Sequence, residues 1–251
     1  MDTEINQMIT NLLPLARQAG EVIMEVYRQG IEADEKPDGS FVTQADLRAE
    51  AVILGGLRDL AADIPIISEE NADSHQLEPP ERFFLVDPLD GTAEFVKADG
   101  RGAFTVNIAL VDQGVPVAGI IYAPSRDELY WGTVGQGAFF NGLPIGARQP
   151  QVDALIALAS RSHRDQQTND WITGNGIADT VSIGSSLKFC LIARGEADVY
   201  PRFGPTMEWD TAAGNAILSA AGGCVRHPDG SDFTYGKPGY RNGPFIARGL
   251  L

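Results

Sequence analysis

The sequence predicts an α/β protein in which layers of helices alternate with layers of β-sheet. Three observations support this fold class. Two helices are predicted within the first 62 residues, the first from apolar residues at helical spacing over residues 5–27. Short strands and tight turns fill residues 104–140, and mixed helices and strands follow residue 150. We therefore expect an N-terminal α+β subdomain in residues 1–150 and a C-terminal α/β subdomain in residues 151–251.

The first elements along the chain are predicted to be helical. Apolar positions recur at helical spacing over residues 5–27, where Pro14 predicts a kink or a break because proline removes a backbone donor. Residues 31–42 are rich in Asp, Gly and Pro and are typical of a loop or a short hairpin. Thr43 and Asp46 then have the spacing of a capping box, which predicts the start of a second helix.

Strands dominate the middle of the chain. The apolar runs at 64–67 and 83–86 each predict a buried strand that delivers acidic residues at its carboxyl end. Residues 104–140 alternate between β-rich runs and turns, which predicts an antiparallel meander, and Asn141-Gly142 is typical of one more tight turn.

The last hundred residues mix short helices and short strands. Strands are predicted at 155–159, 180–183, 197–200, 224–226 and 245–247, and helices at 163–173, 185–194 and 210–221.

Charge and composition exclude several functional classes. The chain has 251 residues, of which 19 are basic and 34 acidic, giving a net charge of −15. A nucleic-acid polymer or an anionic membrane surface is therefore not an expected partner, whereas a small phosphorylated ligand is compatible if metal ions bridge acid and phosphate. Two cysteines are too few for a disulfide scaffold or a zinc cluster. We expect no signal peptide and no transmembrane segment, and a cytoplasmic protein.

The strongest local signal is the hexapeptide 87–92, with the sequence DPLDGT, which follows an apolar strand. Asp87 and Asp90 flank a turn stiffened by proline and can point at one spot. Gly91 permits close approach to the backbone, and a short helix predicted over 92–97 would offer free N–H groups to a phosphate. The hexapeptide is also typical of an Asp-rich turn that caps a helix. Its spacing differs from that of an EF-hand loop.

Two further acidic segments favour a metal site. Glu69 and Glu70 end the preceding strand, and Asp210 opens a late helix. Taken alone, Asp210 is typical of an N-cap, and the glutamates of a solvated strand end. Together with Asp87 and Asp90 they would form a cluster that raises its own pKa values unless cations neutralise it. Oxygen ligands without His or Cys favour Mg²⁺.

Several motifs resemble those of the inositol monophosphatase superfamily. Segments 68–70, 87–92 and 209–214 match its three motifs in order, and segment 36–46 is similar to its N-terminal signature. The resemblance extends over roughly residues 5–250. It implies the layered α-β-α-β-α sandwich of the inositol monophosphatase and fructose bisphosphatase type.

Within that superfamily the chain is most similar to the 3'(2'),5'-bisphosphate nucleotidases of the CysQ type, through segments 94–97, 104–110, 184–190 and 200–206. The resemblance implies hydrolysis of the 3'-phosphate of adenosine 3',5'-bisphosphate, a by-product of sulfate assimilation, to AMP. It implies a lithium-sensitive enzyme with two or three Mg²⁺ ions per site. We expect a monomer or homodimer, either cytoplasmic or peripheral on the cytoplasmic face of the inner membrane.

The resemblance also assigns roles to residues. It implies metal ligation by the side chains of Glu69, Asp87, Asp90 and Asp210 and by the carbonyl oxygen of Leu89. It places Glu70 and Thr92 near the attacking water, with Asp46 accepting a hydrogen bond from Thr92. In the implied mechanism the metal ions activate this water, which attacks in line without a covalent intermediate.

Substrate contacts follow from the same resemblance and from charge. The expected set comprises Asp90, Gly91, Thr92, Lys188, Arg202 and Asp210. The backbone N–H groups of Gly91 and Thr92 would bind the scissile phosphate. Arg202 stands where inositol monophosphatases carry a sugar-binding Glu, and a guanidinium suits a second phosphate better than a neutral polyol.

Two departures from the nucleotidase pattern affect the expected specificity. Ala93 stands where many such enzymes have Lys, and the loop 98–103 is about two residues longer. Trp209 and Phe203 could flank the adenine or serve as packing residues.

Three other functions are compatible with parts of the pattern. An inositol or other sugar monophosphatase would use the same mechanism. A phosphatase with an aspartyl-phosphate intermediate needs one residue between the two acids, whereas Pro88 and Leu89 provide two. A non-enzymatic metal or nucleotide sensor on the same fold is disfavoured because every expected ligand is present.

Overall fold

The computed structural model describes residues 2–35, 41–97, 102–151, 154–160, 164–177 and 179–250. These residues form six α-helices: α1 (Asp2–Gln29), α2 (Gln44–Leu60), α3 (Thr92–Lys97), α4 (Gln166–Gly174), α5 (Leu187–Ala193) and α6 (Ala212–Ala220). Two short 3₁₀ helices cover Ala72–Gln76 and Pro238–Tyr240. Residues 36–40 of the N-terminal signature and 98–101 of the longer loop lie outside the described residues.

The described residues also form sixteen strands. In the first half they are β1 (Ala33–Glu35), β2 (Phe41–Thr43), β3 (Ile66–Ser68), β4 (Arg82–Asp90), β5 (Thr105–Asp112), β6 (Val115–Ala123), β7 (Glu128–Thr133), β8 (Gly137–Phe140) and β9 (Leu143–Ile145). In the second half they are β10 (Ile156–Ser160), β11 (Asp179–Ile183), β12 (Val199–Arg202), β13 (Thr206–Met207), β14 (Cys224–Arg226), β15 (Arg241–Asn242) and β16 (Phe245–Arg248).

The two large sheets are separated by helices. The first has the order β3-β4-β5-β6-β7-β8-β9 and is antiparallel except for the parallel pair β3 and β4. The second has the order β11-β10-β12-β16-β14. Strands β5 to β9 form the predicted meander, and Asn141 and Gly142 both adopt positive φ in the turn between β8 and β9.

Three hydrophobic clusters define five layers. Helices α1 and α2 pack on one face of the seven-stranded sheet, where Ile9 and Ile53 belong to the same core cluster as Phe84 and Ile108. Helices α5 and α6 fill the space between the two sheets. Helix α4 covers the outer face of the five-stranded sheet through Ile172. The α-β-α-β-α sandwich is therefore confirmed.

Helix α1 runs without interruption through Pro14, so the predicted break is wrong. The proline leaves the carbonyl oxygen of Thr10 without its helical donor, but Thr10 is exposed and water can satisfy that oxygen. Burial of Leu12 and Ala16 in the core on either side of the proline holds the helix together.

The start of α2 confirms the predicted capping box and places a short hairpin before it. Strands β1 and β2 pair antiparallel. The Thr43 hydroxyl accepts a hydrogen bond from the backbone N–H of Ala45, and Asp46 Oδ2 accepts one from the backbone N–H of Thr43 at 2.7 Å. These bonds fix the side chain of Asp46 on a buried turn.

The predicted division near residue 150 stays a prediction, although the two large sheets draw on residues 66–145 and 156–248 respectively. The core cluster between the sheets contains side chains from both ranges. Across the part of the chain that the structure describes, no helix is both long and apolar enough to cross a membrane.

Candidate active site

Two neighbouring parallel strands deliver the first acidic residues. Strands β3 and β4 are paired so that Ser68 lies opposite Val86, and the backbone N–H of Glu69 donates to the Val86 carbonyl oxygen at 3.1 Å. Glu69 follows the end of β3 directly, and Asp87 lies within β4 at the same level of the sheet. The two apolar runs predicted both strands, but β4 continues to Asp90, so Asp87 lies inside the strand and not beyond its carboxyl end.

Asp210 completes a compact carboxylate cluster. Glu69, Asp87 and Asp210 each offer one oxygen atom, and these atoms all lie within 4.8 Å of one another. Asp210 belongs to the loop before α6, and its Oδ2 accepts a hydrogen bond from the backbone N–H of Met207 at 2.7 Å. Thr211 occupies the N-cap position, so the alternative reading of Asp210 as a helix cap is wrong.

The cluster is electrostatically unfavourable without added positive charge. Asp87 is only 1% exposed. Burial, followed by repulsion from Glu69, raises the pKa of Asp87 well above its ordinary value. Burial and repulsion from Asp90 raise the pKa of Asp210 in the same way.

Asp90 is held beside this cluster by residues from distant parts of the chain. Its Oδ2 accepts hydrogen bonds from the backbone N–H of Ser186 at 2.6 Å and from Nδ2 of Asn107 at 3.4 Å. The Ser186 hydroxyl lies 2.7 Å from both Asp90 Oδ2 and the Asp210 carbonyl oxygen. Ser186 thus ties the hexapeptide 87–92 to the loop that carries Asp210.

Thr92 connects the hexapeptide to α2. Its hydroxyl lies 3.4 Å from Asp46 Oδ1 and 3.1 Å from the Leu89 carbonyl oxygen, both of which can accept its proton. Asp46 is buried, and burial raises its pKa. Asp46 therefore both caps α2 and faces the Thr92 hydroxyl.

The turn into α3 requires glycine at position 91. Gly91 has a φ of +91°, and a β-carbon there would lie 2.8 Å from the Ala103 carbonyl oxygen. A side chain would be strained and would collide with backbone. Gly91 and the first residues of α3 line an open cavity.

This cavity has a volume of about 620 Å³ and combines acidic and cationic residues in one wall. The acidic residues include Glu69, Asp87, Asp90 and Asp210. The cationic residues include Lys188, which is 5% exposed, and Arg202, which is 7% exposed. The volume lies within the range of roughly 300–1,000 Å³ that is typical of small-molecule sites.

The two buried cations are held by backbone carbonyl groups. Lys188 donates to the Ser185 carbonyl oxygen at 2.5 Å, and burial lowers its pKa to about 8. Arg202 donates to the carbonyl oxygens of Gly204 at 3.1 Å and Pro205 at 2.9 Å.

Comparison with known proteins identifies the family. The family model described as "Inositol monophosphatase family" matches residues 4–248. The chain belongs to the inositol monophosphatase family.

Members of this family with a curated function include a bisphosphate nucleotidase at high identity. The 3'(2'),5'-bisphosphate nucleotidase CysQ of Salmonella typhimurium is 44% identical over 245 residues, covering 93% of this chain and 98% of the relative. The inositol monophosphatase of Mesembryanthemum crystallinum is 32% identical over 240 residues, covering 91% and 88%. The crystal structure of CysQ from Bacteroides thetaiotaomicron aligns with a TM-score of 0.83 at 37% identity and covers 98% of each chain.

The acidic cluster fits the metal dependence of this family. Its three residues provide only oxygen donors, and burial together with repulsion from the neighbouring carboxylates raises the pKa of Asp87. Carboxylates that are buried together are compatible with ionisation when a divalent cation binds them. The donor set is the type that hard cations such as Mg²⁺ prefer.

The structure brings most of the predicted site residues to one cavity. Glu69, Asp87, Leu89, Asp90, Gly91, Thr92, Lys188, Arg202 and Asp210 line it. Asp46 lies behind Thr92, and neither Asp46 nor Glu70 is among the described residues of the cavity wall. Trp209 is buried and stacks on His75 with 4.7 Å between ring centroids, so it is a packing residue.

Sequence reasoning missed several residues that shape the site. Ser186 and Asn107 hold Asp90, and Ser68 donates to Glu50 at 2.5 Å immediately before Glu69. Phe41 also lines the cavity. The serine and asparagine contacts join residues far apart in the chain, and no local pattern signals them.

Proposed function

We propose that this protein is a magnesium-dependent 3'(2'),5'-bisphosphate nucleotidase that hydrolyses the 3'-phosphate of adenosine 3',5'-bisphosphate to AMP. The observation that carries the proposal is the coexistence of a carboxylate cluster and two buried cations in one cavity. Such a cavity can bind one phosphate through metal ions and a second through side chains. The 44% identity to a curated bisphosphate nucleotidase, against 32% to an inositol monophosphatase, supports the same choice.

The metal ligands in this proposal are Glu69, Asp87, Asp90, Asp210 and the carbonyl oxygen of Leu89. Bound Mg²⁺ would supply positive charge that lowers the pKa of a water molecule and neutralises phosphate oxygens. The chain itself holds these ligands in place through the Ser186 contacts and through the backbone N–H of Leu89, which donates to Asp87 Oδ1 at 3.0 Å.

Thr92 and Asp46 orient the attacking water in this proposal. When the Thr92 hydroxyl donates a hydrogen bond to Asp46, its oxygen can accept a hydrogen bond from the water. Glu70 follows Glu69 directly, and we assign it to the same water. Water itself is the nucleophile and attacks in line with the bond to the ribose oxygen, which leaves with the nucleoside, so no covalent phosphoenzyme forms.

The scissile phosphate binds the backbone N–H groups of Gly91 and Thr92, which the open turn before α3 leaves available to a ligand. The other phosphate of the nucleotide binds Arg202, with Lys188 as a second cation. A guanidinium can hold phosphate through two parallel hydrogen bonds, which a neutral polyol does not need. A cytoplasmic location, lithium sensitivity and a monomeric or homodimeric state remain predictions that accompany this function.

Phosphate release from a panel of substrates tests the proposal. The panel contains adenosine 3',5'-bisphosphate, the corresponding phosphosulfate, inositol 1-phosphate, fructose 1,6-bisphosphate and AMP. We expect the bisphosphate nucleotide to have the highest kcat/KM and AMP to be inert. Equal or higher efficiency with inositol 1-phosphate would favour the sugar monophosphatase alternative instead.

Trapping of a radiolabelled phosphoenzyme after acid quench tests the mechanism separately. We expect none, because Pro88 and Leu89 separate the two aspartates by one residue more than aspartyl-phosphate chemistry requires. A stoichiometric label on the protein would contradict in-line attack by water.

A further inference from the structure

The size of the cavity exceeds what two phosphate groups and metal ions require. A water molecule occupies about 30 Å³ in the liquid, and a phosphate group is only a few times larger. A cavity of about 620 Å³ therefore leaves room for a ribose and a base beside the charged groups. The wall next to that remaining space determines which organic group is accepted.

Phe41 is exceptional among the apolar residues of this wall. Eight large hydrophobic side chains are exposed in the described part of the chain, and Phe41, which is 38% exposed, is the one that lines the cavity. It begins β2, and β2 packs beside α3, the helix that starts with Thr92. Phe41 therefore lines the same cavity as Gly91 and Thr92, the residues of the proposed phosphate site.

The other aromatic rings of the cavity wall are committed to the core. Phe189 and Tyr200 are buried and contact each other at 5.5 Å between ring centroids. Both also contact Phe245, at 5.8 and 5.3 Å. Phe41 forms no aromatic ring pair with any described residue and is partly exposed in the cavity wall, so part of its surface can contact a ligand.

We propose that Phe41 is the stacking surface for the nucleobase, and that it makes this site selective for purine nucleotides over base-free sugar bisphosphates. This inference rests on the proposed function. Every base has an aromatic face that can stack on a phenylalanine ring, and a purine offers the largest such face. Stacking requires no hydrogen-bond donor or acceptor from the protein, which agrees with the apolar character of Phe41.

Steady-state kinetics of Phe41→Ala and Phe41→Trp tests the inference. The substrates are adenosine 3',5'-bisphosphate and its abasic analogue, 1-deoxyribose 3,5-bisphosphate. We expect Phe41→Ala to raise KM for the nucleotide by about 5- to 150-fold, the range that loss of one base–aromatic stack produces. KM for the abasic analogue and kcat for both substrates should change less than twofold, and Phe41→Trp should retain the wild-type KM.

Leu143→Ala is the matched control, because Leu143 is an exposed apolar residue outside the cavity wall. It should leave both KM values unchanged. Equal increases of KM on both substrates, or no increase on either, would overturn the role of Phe41.

A binding measurement separates this inference from the proposed activity. Tryptophan fluorescence of Phe41→Trp, corrected by the same titration of wild type, should be quenched by AMP and not by ribose 5-phosphate. If wild type releases no phosphate from the nucleotide but quenching by AMP occurs, the nucleotidase proposal fails and the stacking surface stands. Absence of quenching by AMP would overturn the stacking surface whatever the activity.

Discussion

The acidic and cationic parts of the cavity wall are stabilised by different means. Lys188 and Arg202 are buried, but each donates to backbone carbonyl oxygens, and Lys188 also lies 5.1 Å from the centroid of the Tyr200 ring. Asp87 is buried among other carboxylates, and its pKa is raised because burial and Glu69 both oppose its charge.

This difference shows which charges the fold itself compensates and which charges a bound cation must compensate. The cationic part is compensated within the chain, by backbone carbonyl groups and by the charges of nearby carboxylates such as Asp165 beside Arg202. The acidic part keeps a net repulsion, as the raised pKa values of Asp87 and Asp210 indicate, and external positive charge relieves it. Removal of metal should therefore affect the acidic part alone, and substitutions in the two parts should have separable effects.

The largest effect is expected from Asp87→Asn and from chelation. Either change should lower the rate of phosphate release by several orders of magnitude, because the metal ions that activate water are lost. Mg²⁺ should restore the chelated wild type but not the variant. Asp59→Asn on the exposed face of α2 is the control and should retain full activity. Full turnover after exhaustive chelation would contradict the metal mechanism.

A smaller effect is expected from Thr92→Ala and Asp46→Asn. Each should lower kcat by about 10²- to 10⁴-fold with little change in KM, the scale typical of a positioned proton acceptor or donor. The double variant should lose no more than the worse single variant, because the two groups act on one water.

Thermal unfolding of the same variants separates catalysis from capping. Asp46 also completes the capping box of α2, so loss of the cap would cost about 1 kcal/mol of stability. Independent, additive rate losses together with a lower Tm would indicate that Asp46 only caps α2 and does not act on the water.

The cationic part should control selectivity rather than rate. Arg202→Ala should weaken kcat/KM for the bisphosphate nucleotide by ~1.5–3 kcal/mol, the scale of a hydrogen bond to a charged group, while a small phosphomonoester is hardly affected. Arg28→Ala, an exposed arginine at the end of α1, is the control. Equal losses on both substrates would indicate that Arg202 only supports the fold.

The smallest effect is a pH dependence of stability in the metal-free protein. Asp46, Asp87 and Asp210 have pKa values raised above the ordinary range, so the folded state binds more protons than the unfolded state above about pH 4. Stability should fall as the pH rises from 5 to 7. Since 1 kcal/mol corresponds to about 2–4 °C for a domain of this size, we expect Tm of the chelated protein to be a few degrees higher at pH 5.

Two comparisons sharpen that measurement. Mg²⁺ should remove the pH dependence, and Asp87→Asn should reduce it while raising Tm of the chelated protein at pH 7. The hydrogen bond with Arg148 lowers the pKa of Asp198, so this residue stabilises the fold as the pH rises. Its contribution changes only below about pH 4, which lies outside the range from pH 5 to 7. A chelated wild type that is more stable at pH 7 than at pH 5 would contradict the prediction.

Local patterns were sufficient to predict the elements that deliver the acidic residues. Thr43 and Asp46 form the capping box because both of its hydrogen bonds lie within one turn of helix. The two apolar runs before Glu69 and Asp87 become the parallel pair of strands, because burial on both faces selects continuous apolar sequence.

Long-range contacts explain what the sequence could not predict. Asp210 is a cap by local propensity, but its side chain turns to the Met207 N–H and the carboxylate cluster. Trp209 adjoins it in the chain, yet packs against His75 from the other half of the molecule. The Ser186 contact with Asp90 spans 96 positions, and only the tertiary structure brings these groups together.

The contact between Ser186, Asp90 and Asp210 has a consequence during synthesis of the chain. Asp87 and Asp90 leave the ribosome about 120 residues before Asp210. At ~5–20 residues per second this interval is roughly 6 to 24 seconds, for most of which the hexapeptide lacks the Ser186 contacts that later hold Asp90. The nascent N-terminal half therefore presents an incomplete acidic loop to the cell, and only the last sixth of the chain to be translated follows the residue that completes the carboxylate cluster.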